Sequence, residues 1–141
     1  MKKIFRSGLI LLCCGALTAC TYLREADMRE EFDKSMRSYN KMLRWQEVEN
    51  AGMLYQEPEL RSTFMGAAEA MKKRGITITD FRILTTECLP EKSSAQVVAE
   101  FDYYSLPSNR IKTVTYRQNW TYREINDKKS WKVKSSLPVF E

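Results

Sequence analysis

Lys72-Lys73-Arg74-Gly75-Ile76-Thr77-Ile78, read as KKRGITI over residues 72–78, is where the hydrophobic period of this chain changes. Three cations followed by glycine form a helix stop. The positive side chains suit the negative end of a helix, and glycine takes the left-handed turn beyond it. Upstream, Leu60, Phe64, Ala67, Ala68 and Met71 recur at helical spacing, and Pro58 suits the first turn, with Glu57 and Glu59 at its positive end. Downstream the period is two.

Earlier in the chain, Phe32, Met36, Tyr39 and Leu43 recur at steps of four, three and four, which predicts one helix over about residues 22–43. Trp45, Val48, Gly52 and Tyr55 continue at helical spacing after Arg44 and predict a bend followed by a short second helix. After Gly75, Ile76, Ile78, Phe81 and Ile83 mark a first strand with an irregularity near Asp80. Val97, Ala99, Phe101 and Tyr103 alternate with Val98, Glu100, Asp102 and Tyr104 in a second. Val114, Tyr116, Gln118, Trp120 and Tyr122 line one face of a long third, and Trp131 and Val133 begin a fourth. The turn-rich stretches between them are too short for crossover helices, so the strands pair as antiparallel hairpins. Helices first and strands afterwards is an α+β domain with its helices on one face of the sheet.

The order also carries a resemblance. The segments RWQEVENAG (44–52), PELRSTF (58–64), QVVAEFDYY (96–104), VTYRQNWTYRE (114–124) and SWKVKSSLPVF (130–140) resemble the nuclear transport factor 2-like superfamily, also described as cone, SnoaL-like or cystatin-like domains. This is a match of order and pattern over residues 32–140, without an invariant motif. It implies N-terminal helices packed on a curved antiparallel sheet, and a family habit of forming a homodimer through that sheet.

The N-terminus has a second resemblance. Lys2, Lys3 and Arg6 form a cationic head, an uncharged apolar run follows, and Leu17-Thr18-Ala19-Cys20 is similar to the lipobox of bacterial lipoproteins. The apolar run is far short of the roughly 20 residues of a spanning helix. The resemblance implies cleavage between Ala19 and Cys20, a diacylglyceryl group on the Cys20 thiol, and acylation of the new amino group. The expected layout is therefore a signal peptide over 1–19, a lipidated cysteine with a short charged helical tether over 20–31, and the α+β domain over 32–141. Thr21 after the cysteine, where many enteric-type bacteria carry aspartate for inner-membrane retention, implies the outer membrane, facing the periplasm. A tether of about ten residues reaches at most about 33–36 Å, so the domain is expected to work close to its membrane.

Removing the signal changes the composition. The full chain has 23 basic and 18 acidic residues. Loss of Lys2, Lys3 and Arg6 leaves 20 against 18, a net charge of +2, which gives no basis for nucleic-acid binding. Of four cysteines, Cys13 and Cys14 leave with the signal and Cys20 carries lipid. Cys88 alone remains as a thiol, so no internal disulfide forms.

The chemistry open to such a chain is narrow. It has no histidine, which removes histidine bases, histidine triads and most zinc sites. No metal ligand set and no cofactor motif is present, and Glu30-Glu31, beside Arg29 and Lys34, reads as a solvated helix face. Cys88, without a histidine partner to activate it, reads as a half-buried or exposed unpaired thiol and not as a nucleophile. Enzymes of the cone superfamily use acids and tyrosines projecting into the cone, which makes Asp102, Tyr104 and Tyr116, with Tyr103 and Tyr122, the catalytic candidates that the resemblance offers. Ordinary sheet packing accounts for the same residues. The first reading is a membrane-anchored envelope module that binds a protein partner or a small apolar ligand. The second is a histidine-free isomerase- or dehydratase-like enzyme. A deep pocket with an acid facing a tyrosine favours the enzyme; a filled cone with an exposed apolar sheet face favours the binding module.

Overall fold

The computed structural model describes residues 20–141 in full and, of residues 2–19, the backbone alone. The side chains of the expected signal segment, with Ala19 of the cleavage site, lie outside the described residues.

Three helices precede four strands. Helix α1 (Lys2–Arg44) is followed by α2 (Val48–Tyr55), a 3-10 turn over Pro58–Leu60, and α3 (Arg61–Lys73). Strands β1 (Ile76–Leu89), β2 (Ser94–Ser105), β3 (Lys112–Ile125) and β4 (Lys128–Val133) then form one antiparallel meander in the order β1-β2-β3-β4. The helices pack on one face of this sheet, as the change of period at Gly75 predicts.

That change is built as expected. Gly75 has φ 63, its N–H donates to Lys72 O, and Lys72 and Lys73 occupy the last helical turn. The bend after Arg44 is also present, at Gln46 with φ 64. It turns Trp45 outward against the Arg44 guanidinium, which lies 5.2 Å from the ring, so Trp45 is exposed and does not share the buried face of α2. Leu60 likewise belongs to the 3-10 turn and faces outward. Helices α2 and α3 touch at Gly52, where a Cβ would come within 2.5 Å of Phe64 Cδ1.

The irregularity near Asp80 is one of two register shifts in β1, between Ile78 and Asp80 and between Ile83 and Thr85, the places where a strand bends. Asn126 and Asp127, with φ 51 and 61, close β3 onto β4 in a two-residue turn whose twist matches the strands.

The core lies between the helices and the inner face of the sheet. Met28, Phe32, Met36, Tyr39 and Leu43 of α1 meet Phe101, Tyr103, Tyr116, Trp120 and Trp131. Met28 is buried and its carbonyl accepts from Trp131 Nε1 at 2.9 Å, so α1 enters the core a turn before Phe32. After β4, Leu137 and Phe140 of the tail are buried as well. Phe140 meets Tyr103 edge-on at 4.9 Å, closing the end of the sheet beside α3. Each large apolar side chain buried in this way contributes about 1.5–3 kcal/mol.

Candidate functional site

Two places in this fold can hold chemistry: the space between α1 and the sheet, and the sheet's outer face.

The first is filled. Phe32 stands edge-on to Trp120 at 5.7 Å and tilted to Trp131 at 5.0 Å. Tyr39 meets Trp120 at 5.5 Å and Tyr55 at 6.0 Å. Phe32, Tyr39 and Trp120 are at most 2% exposed. Four hollows among the described residues are surface clefts of about 190 to 770 Å³, and none is lined by Phe32, Tyr39, Asn40 or Gln118.

The polar groups in that space bind one another. Gln118 Nε2 donates to Asn40 Oδ1 at 2.6 Å, and Asn40 Nδ2 donates to Met36 O at 2.8 Å and to Gln118 Oε1 at 3.3 Å. Trp120 Nε1 donates to the same Gln118 oxygen at 3.2 Å. Alternation along β3 brings Gln118 inward among aromatics, and Asn40 meets it because it follows Tyr39 on the inner side of α1. The Tyr39 and Tyr116 hydroxyls bond to each other at 2.9 Å. Burial raises the pKa of both phenols well above the ordinary value, so both stay neutral. A buried network whose members are satisfied rigidifies a core and leaves few groups for a ligand. The buried polar atoms without a partner among the described residues, Gln56 Oε1 and Arg61 Nε, belong to the α2–α3 connection and not to this cluster.

The outer face is polar. Arg82 of β1 reaches across to β2, with Nη2 2.9 Å from Glu100 Oε2 and Nη1 2.8 Å from Asp102 Oδ2. Thr113 Oγ1 donates to Asp102 Oδ1 at 2.6 Å. The hydrogen bonds from Arg82 and then Thr113 hold the Asp102 carboxyl below its usual pKa, so it stays ionised and has little basicity to offer.

The candidates from the sequence therefore separate. In the ladder Ala99 lies opposite Tyr116, and Asp102 opposite Thr113. Tyr116 points inward to Tyr39, while Asp102 and Tyr104 lie on the outward side of β2. No acid faces a tyrosine in an interior pocket among the described residues. The outer face carries ions and threonines where the binding-module reading anticipated an apolar surface. Tyr103 is inward and bonds the tail, its hydroxyl 2.9 Å from Glu141 O. Tyr122 donates to Glu31 at 3.3 Å, and Glu30 pairs with Lys34 at 2.6 Å. Cys88 is half-buried, and burial raises its thiol pKa, which disfavours the reactive thiolate. Cys20 is exposed, and no helix among the described residues is long and apolar enough to cross a membrane.

In sequence, no protein family and no curated protein matches the chain. In three dimensions it is similar to the intermembrane space region of the chloroplast protein ARC6, with a TM-score of 0.48 and 10% identity over 81% of this chain and 97% of that one. No residue role is carried across from it.

Proposed function

We propose that this chain is a lipid-anchored envelope protein whose small α+β domain is an interaction module, engaging a protein partner through its exterior. The observation that carries the reading is the filled interior. Where the cone of a ligand-binding domain would be open, Phe32, Tyr39, Trp120 and the Asn40–Gln118 pair occupy the space and satisfy one another. This supports a protein partner over a small apolar ligand. The separation of Asp102 from Tyr116 across the sheet counts against an isomerase- or dehydratase-like enzyme.

The anchor rests on the lipobox and on the exposure of Cys20. One acyl chain gives marginal membrane binding and stable attachment takes more, consistent with a diacylated thiol and an acylated amino group. The helix-then-meander order remains the basis of the nuclear transport factor 2-like assignment, and Thr21 of the outer-membrane location.

Native mass spectrometry of the full protein extracted from its host membrane tests the reading. The expected species carries acyl groups on Cys20 and no bound small molecule, and Cys20→Ser loses the acyl mass and leaves the membrane fraction. A stoichiometric apolar molecule held by the folded domain, or an unacylated Cys20, would overturn it.

A further inference from the structure

The sheet has edges that differ in how they are closed. On β1, Arg29 donates to Cys88 O, Arg44 Nη1 and Gln46 Nε2 lie 3.4 and 3.5 Å from Ile78 O, and two bulges break the ladder. On β4, Glu57 N–H donates to Val133 O at 3.1 Å. Bulges and covering contacts of this kind are how sheets protect an edge.

The first half of β3 is closed by neither device. Strand β4 pairs with β3 only from Trp120 to Ile125. One residue further, Lys134 N–H donates to Asn119 O at 2.8 Å, and Asn119 N–H donates to Ser135 Oγ at 2.8 Å. Both backbone groups of Asn119 thus point away from β2. Alternation gives the same direction to the N–H and C=O groups of Arg117, Thr115 and Thr113, and none of these has a partner on that side among the described residues. The tail leaves the lane of β4 after Ser135 and drops inward to bury Leu137 and Phe140. An open groove of about 770 Å³ remains between β3 at Val114–Arg117 and the tail at Lys134–Val139.

We infer that this groove, with the free β3 edge from Thr113 to Arg117, is a docking site for an extended acidic segment of a partner protein, which adds a strand in the lane that the tail vacates. A row of unpaired, alternating donors and acceptors is matched by extended backbone, the recognition mode of β-strand addition. The charge selects the side chains. Arg117 and Lys134 line the groove; among the described residues neither is paired with a carboxylate and no acidic residue lines it. Val139, 77% exposed on the tail side, offers an apolar contact to alternate residues. A second copy of this chain is the poorer occupant, because its own β3 edge brings the same cations.

The inference deepens the interaction-module reading and rests on it. The test uses the full lipidated protein in detergent micelles, with a short alternating Glu-Val peptide, the same peptide N-methylated at alternate residues, and its Lys-Val counterpart. Amide hydrogen exchange is followed at Thr115 and Arg117. The Glu-Val peptide slows exchange at both amides; N-methylation weakens binding about tenfold or more, the equivalent of one or two lost hydrogen bonds. Exposed Arg117→Glu, which leaves the fold intact, reverses the preference towards Lys-Val. Absence of binding, equal affinity for the methylated peptide, or unchanged exchange at the two amides overturns the inference. Protection of both amides without peptide, together with a doubled mass, overturns it in favour of a second copy. Membrane protein captured with a partner but with unchanged exchange at Thr115 and Arg117 refutes the edge and leaves the module standing; a small molecule in the interior refutes the module itself.

Discussion

The two faces of this sheet are made from the same strands, one residue out of phase, and they handle polar groups in opposite ways. On the inner face, Gln118 and Tyr116 are buried and bonded to Asn40 and Tyr39 of α1, so their polarity holds the helix in one position over the sheet. On the outer face, Arg82, Glu100, Asp102 and Thr113 bond to one another in water. A hydrogen bond made in the interior is costly to break because the orphaned partner stays dry, whereas an exposed group returns to solvent. The inner polar groups are therefore structural.

The comparison can be broken at several points. Trp120→Ala, at the centre of the inner face, should cost about 3–5 kcal/mol in urea unfolding; a much smaller loss would mean that the interior is not packed as described. Gln118→Leu orphans Asn40 Oδ1 and Trp120 Nε1, each at about 1–3 kcal/mol. The double variant Asn40→Leu with Gln118→Leu should recover part of that loss, and a double-mutant cycle measures the coupling. Additive losses would show that the two amides do not bond. Gly52→Ala forces Phe64 aside and should cost about 1–3 kcal/mol as overpacking, visible as a lowered urea midpoint.

The smallest effect belongs to the outer face. Asp102→Asn should lower the midpoint less than any of these changes. Because Arg82 and Thr113 depress the Asp102 pKa in the folded state, its contribution is present above the unfolded value of about 3.9 and is lost as pH falls through the folded value. The gap between wild type and variant should thus be open at neutral pH and close in acid. A gap that widened in acid would reverse the assignment.

The architecture was legible where local chemistry decides it. Gly75 after three cations ends a helix whatever the rest of the chain does, Asn126-Asp127 takes left-handed backbone for a tight hairpin, and alternation placed Tyr116, Gln118 and Trp120 on one face. What escaped depends on distant partners. Asn40 looks like a break in an apolar stripe, and its role appears only with Gln118, 78 residues on. Met28 needs Trp131. The tail shows no period, since Leu137 and Phe140 flank Pro138, and its burial follows from the space beside α3 and Tyr103. Trp45 kept helical spacing with Val48, but the positive φ at Gln46 rotates it out. As for the site, the sequence proposed Asp102, Tyr104 and Tyr116 by resemblance. Pleating separates Asp102 and Tyr104 from Tyr116, and the open stretch of β3 is set by where the tail departs, which no residue pattern announces.

The most direct test of a module that works from its exterior, through one edge and not the other, is photocrosslinking in the host membrane. A photoreactive residue replaces the exposed Thr115 on β3 in one strain and Thr85 on β1 in another, with Arg117, Lys134, the lipobox and the rest of the chain unchanged. The account predicts a discrete protein adduct from position 115 and none from position 85. An adduct from position 85 alone, or no protein adduct from either, would contradict it.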